Sequence, residues 1–111
     1  MTETVTITLE GNLSAGSLSD ALKPLGARLE EPAAKVSVVF DVRTMTGYDV
    51  DARHAFVDWH RRHKDRVRAV AIVTDNSMWH VVISAMSLAS GQQMKPFSDP
   101  SAAQEWLSRA R

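Results

Sequence analysis

Apolar positions change period several times along the chain, and each change marks an element. Thr4 to Leu9 reads TVTITL, with Val5, Ile7 and Leu9 on one face, the pattern of a half-buried strand. Gly11-Asn12 is expected to end it. Ser14 or Ser17 is placed to cap a first helix that runs to about Glu31. Along it Leu18, Leu22, Leu25 and Leu29 form one apolar stripe. Pro24 lies inside that stripe, where it removes a backbone donor and crowds the preceding turn, so a kink or two short helices is predicted. Lys35 to Val42, KVSVVFDV, is almost continuously apolar, as in a strand covered on both faces. After a polar loop, Ala52, Ala55, Phe56, Trp59 and His63 line one face of a second helix. Asp49 and Asp51 stand at its front and Arg61, Arg62 and Lys64 at its back, an arrangement that complements the helix dipole. Val67 to Thr74 is a further strand, and Asp75-Asn76-Ser77 starts a third helix, Met78 to about Ser90, that ends at Gly91. Gln93 to Phe97 reads as a short strand. Asp99-Pro100-Ser101 opens a last helix whose Ala103, Trp106 and Leu107 face the core.

Strict alternation of strand and helix implies an α/β fold: a four-stranded, mostly parallel or mixed sheet with about four helices packed on it. A length of 111 residues fits a single domain spanning residues 1–111. Thirteen basic residues balance thirteen acidic ones, which speaks against a dedicated nucleic-acid binder, since these carry a basic excess. No cysteine is present, which excludes disulfides, a thiol nucleophile and thiolate metal sites. MTETVTITLEG has neither the basic start nor the apolar run of a secretory leader, and the expected address is the cytoplasm.

Candidate chemistry is sparse. Asp51, His54 and Asp58 are spaced to share one helix face, as metal ligands can. Solvated faces carry the same residues routinely, and no metal or other cofactor is expected. There is no G-x-S-x-G elbow, and the glycines never cluster into a phosphate loop. Arg61, Arg62 and Lys64 open a basic run that is either an anion-binding candidate, for a phosphate or an anionic surface, or a solvated helix end. His60 and His63 lie in that run without a carboxylate cluster, and His80 sits in the first turn of an apolar helix.

The absence of charge is more distinctive. No Asp, Glu, Lys or Arg occurs between Asp75 and Lys95, and the helix inside that interval is apolar around more than one face. It is either a central core helix or a surface offered to a partner or ligand, with Met78, Trp79, Val82, Ile83 and Met86 as its candidate residues. Its methionines supply adaptable apolar contacts. It is too short and too rich in serine to cross a bilayer, so no integral membrane association is expected.

In order, VTITLEGNLS, VVFDV, FVDWHRRHKD, RVRAVAIVTDNSMW and MKPFSDPSAAQEWL resemble the STAS superfamily, and within it the SpoIIAA-like branch, bacterial domains also likened to the CRAL-TRIO lipid-transfer fold. The resemblance covers nearly the whole chain. It implies a small mixed sheet with helices on it and a role in protein–protein contact. In similar anti-sigma-factor antagonists a strand-end Asp is followed by a D-S-S-G turn whose second serine is phosphorylated. Asp41 matches the strand-end Asp, and Asp49-Val50-Asp51-Ala52 falls on the turn, so Asp51 stands where the phosphorylated serine would be. The acceptor hydroxyl is missing. A fixed carboxylate mimics phosphate only in part, and Asp49 and Asp51 read equally as helix caps. Such domains often open with a hairpin that this chain nearly lacks, which implies an exposed sheet edge.

The expectation is therefore a non-enzymatic regulatory or scaffold module that binds a protein partner and forms a homodimer, through helix 78–90 or the exposed sheet edge. Asp49, Asp51 and His54 form its candidate regulatory surface. Two other classes stay open: a carrier with a small apolar or lipid-like ligand against helix 78–90, and an enzyme of unknown reaction.

Overall fold

The computed structural model describes residues 3–30 and 35–109. Among these residues the chain alternates four strands and four helices: β1 (Glu3–Leu13), α1 (Ala15–Leu29), β2 (Val36–Tyr48), α2 (Val50–His63), β3 (Val67–Val73), α3 (Trp79–Ser90), β4 (Met94–Phe97) and α4 (Pro100–Arg109). The strands lie in the order β1-β2-β3-β4, and every neighbouring pair is parallel. The α/β reading holds, with a wholly parallel sheet.

That order never reverses, so each crossover steps in the same direction and successive helices land on one face. α1, α2 and α3 pack side by side there, over a core built on Phe40, Leu18, Leu25, Val38 and Val70. The other face is covered by α4, whose Ala103 and Leu107 lie on Val39, Ala69, Ala71 and Val73. Small alanines on β3 let this helix approach the sheet closely.

Three boundaries differ from the sequence reading. β1 does not stop at Gly11-Asn12, and β2 does not stop at Val42. Both run on as a two-stranded ribbon, with register shifts at Thr8/Glu10 and Gly11/Asn12. Gly11 takes φ +63 within it, which any side chain would strain. Pro24 does not divide the first helix: α1 is one helix of 15 residues with Pro24 on its exposed side. Burial of Leu18, Leu22, Leu25 and Leu29 outweighs the one lost backbone hydrogen bond. Ser14 is the cap, and it forms a reciprocal capping box with Ser17. The predicted end at Glu31 lies outside the described residues.

Candidate interaction surface

β2 and β3 pair only as far as Asp41–Val73. Beyond Asp41, β2 leans on β1 alone and delivers the chain to the start of α2. Arg43 grips the Asp41 carboxylate through Nε at 3.0 Å and Nη2 at 2.8 Å. Those hydrogen bonds hold the Asp41 carboxyl below its ordinary range, against the opposing effect of partial burial.

Asp49 occupies the N-cap position of α2 in extended backbone, but its side chain makes no capping hydrogen bond. Its Oδ1 accepts instead from Asn12 Nδ2 at 3.0 Å, and its N–H donates to the Leu13 carbonyl. Asn12 reaches it across Gly47, where a Cβ would stand 3.1 Å from the Asn12 side-chain oxygen. Asp49 is thus a tie between the ribbon and α2. Asp51 and His54 are exposed on the first turns of α2. Among the described residues no three His, Asp or Glu side chains gather as metal ligands do, so Asp51, His54 and Asp58 do not converge. Asp49→Ala is expected to cost about 1 kcal/mol through the lost tie. Asp51→Ser is expected to change stability by a few tenths, since an exposed first-turn carboxylate acts only through the helix dipole. Urea unfolding of the two variants beside the wild type checks the contrast.

The basic candidates part company. Arg61 lies in the groove between α2 and α3, pairs with Asp58 at 3.3 Å and donates to the Ala89 carbonyl at 2.9 Å. Arg62 lines the groove between α1 and α2. Lys64 lies beside Gly91. The three therefore do not form one anion site.

α3 divides its apolar residues between two environments. Ile83 is buried and turned to the cavity beneath the helix, Trp79 and Met86 pack partly against the core, and Val82 is half-buried at the same cavity. Met78, Val81 and Leu88 face outward at 79%, 74% and 86% exposure. With exposed Ala85 they recur at spacings of three, four and three, one continuous stripe of the kind that seats a second helix. Val81 and Leu88 were absent from the candidate residues. Their shared spacing from Met78 was the signal.

Beneath α3 lies an apolar cavity of about 60 Å³, lined by Leu9, Phe40, Phe56, Ile72 and Met86 among others. Binding pockets for small molecules run to about 300–1,000 Å³. Beside it His60 is completely buried among Phe40, Phe56 and Trp59. Its Nδ1–H donates to the Phe56 carbonyl at 2.8 Å, and Nε2 has no partner among the described residues. Sequence reading left His60 in the solvated basic run, although it follows Ala52 and Phe56 at intervals of four, the innermost row of α2.

Three comparisons bear on this architecture. Residues 4–108 match the family model described as SpoIIAA-like. The chain is similar to the crystal structure of an uncharacterized protein from the DUF3478 family, with a SpoIIAA-like fold, from Shewanella loihica PV-4. The TM-score is 0.76 at 16% identity, over 92% of this chain and 82% of that one, a likeness of fold alone. No curated protein matches the chain. With the family model spanning nearly the whole length and the solved neighbour sharing its layers, the chain belongs to the SpoIIAA-like family.

Proposed function

We propose that this domain is a non-enzymatic regulatory or scaffold module that binds a partner protein through the outer face of α3. The observation that carries this reading is the Met78–Val81–Ala85–Leu88 stripe, exposed and uncharged on a helix the fold already holds in place from behind. Apolar side chains standing together in water favour burial against another surface, and their spacing suits a partner's amphipathic helix. The sheet order supports the same reading. Open α/β sheets place ligands where the strand order reverses, and this order does not reverse. A regulatory role for Asp49, Asp51 and His54 belongs to this reading too, since all three are exposed at the cap and in the first turns of α2, with His54 lining the groove toward α3. The carrier reading is weaker, because the apolar cavity beneath α3, about 60 Å³, is far below the size of a lipid or cofactor pocket, and the larger space along the helix is an open groove toward α2 lined in part by Arg53, His54, Asp58 and Arg61.

A photo-crosslinking residue at Leu88 should give one discrete, saturable adduct in cells that express the protein, and the same residue at Gln104 on α4 should not. Val81→Glu should abolish the adduct while the thermal midpoint stays within a few degrees. Equal or absent labelling at the two positions would overturn the reading.

A further inference from the structure

β1 stands at the edge of the sheet, and among the described residues its only strand partner is β2. Its backbone donors and acceptors on the other side are a template for another strand. Proteins blunt such edges by shortening, bending or charging them. β4, at the opposite edge, has only four residues. β1 has 11 and is blunted in its second half only, by the register shifts at Thr8/Glu10 and Gly11/Asn12 and by the left-handed Gly11. In its first half Glu3 to Thr8 pairs residue for residue with Val36 to Asp41. That half carries no proline, lysine or arginine. Thr4, Thr6 and Thr8 are exposed on one face, and Val5 and Ile7 are only half-buried on the other. The edge is regular, β-prone and incompletely covered.

We propose that Thr4–Thr8 is a homodimerisation edge, where a second copy of the chain adds its own β1 antiparallel and joins the two sheets into one of eight strands. The proposal rests on the sheet edge and is independent of the α3 reading.

Symmetry and side-chain placement fix the register. A two-fold axis normal to the sheet brings the helix-covered faces together, so residues opposite one another must share parity. Centring the axis on Thr6 confines pairing to the regular half of the strand. Thr6 then meets Thr6 of the second copy, Thr4 meets Thr8, and Val5 meets Ile7. Threonine pairs and β-branched apolar pairs are both favourable across antiparallel strands. The same parity rule keeps Glu3 from standing opposite Glu10, a like-charge pairing that would oppose association. Glu3 is in addition neutralised within its own copy by Arg28 of α1.

The absence of native cysteine makes the test direct. In Thr6→Cys the new thiol faces its own copy across the axis, with Cβ atoms about 4.5–5.5 Å apart, close to disulfide reach. In Thr4→Cys the two thiols stand four residues apart along the strands, about 13 Å. Light scattering of the wild type should show a dimer that dissociates on dilution. Mild oxidation should convert most of Thr6→Cys to covalent dimer and leave Thr4→Cys a monomer on denaturing gels. Thr6→Lys should weaken the dimer at least tenfold with its circular dichroism unchanged. A wild type that is monomeric at every concentration would overturn the proposal. So would equal crosslinking of the two cysteine variants, or a dimer that survives Thr6→Lys and is lost in Val81→Glu.

Discussion

Lowering the pH from 6.5 to about 4 is expected to remove about 3 kcal/mol of stability through the single imidazole of His60. Burial pushes this group from its ordinary 6.5 down to about 4, against an opposing pull from the hydrogen bond to the Phe56 carbonyl and with a smaller push from His63. Above pH 6.5 the imidazole is neutral in the folded and the unfolded chain, and the full contribution is present. Between the two values only the unfolded chain takes up the proton, so stability falls by about 1.4 kcal/mol for each unit of pH. Below pH 4 both states are protonated and this contribution is gone. Urea unfolding at half-unit steps should show the slope in the wild type and a flatter profile in His60→Leu. That variant also removes the unpartnered Nε2 and should be no less stable at pH 7. A slope that persists in His60→Leu would place its origin elsewhere.

Phe56→Ala is expected to cost about 3–5 kcal/mol and to change what the protein can hold. Phe56 is 6% exposed and meets Phe40 edge-on with ring centroids 5.0 Å apart. It also lines the cavity of about 60 Å³. Removing the ring extends that space toward about 150 Å³, a size at which an apolar cavity stays dry and takes up benzene. Saturating benzene should therefore return part of the lost stability to Phe56→Ala and leave the wild-type melting temperature unchanged. A clear shift of the wild type would favour the small-ligand carrier over the protein-binding module.

Elements held by repeated apolar burial were legible in the chain. β3, β4 and α3 begin and end within about two residues of their expected limits, and α4 begins where expected, because a long apolar run or a Pro or Gly boundary marks each. The ribbon was not legible. Arg43 to Tyr48 carries the polar residues and glycine of a loop, and its strand character comes from pairing with residues 10–13, distant in the chain. Pro24 misled for a related reason: a local penalty was visible, and the four leucines that anchor α1 to the sheet outweighed it. At the surface, the lack of charge identified α3, but which of its residues stay in water depends on where β4 and α2 meet it. Of Ile83 and Val81, two residues apart, the candidate Ile83 is buried and the unnamed Val81 stands in water. His60 shows the same limit, since Arg61 and Arg62 follow it in the chain while Phe40, Phe56 and Trp59 surround it in space.

The unreversed strand order has a consequence for the time course of folding. Because three helices are committed to one face, the apolar underside of β2 and β3 waits for a single element at residues 100–109. On the ribosome, where chains grow at about 5–20 residues per second, every earlier element is already made while Val39, Ala71 and Val73 still lack their cover. The half-built domain thus passes through a stage with one finished side and one adhesive side. Its escape from aggregation depends on how soon Ala103 and Leu107 emerge and dock on the sheet.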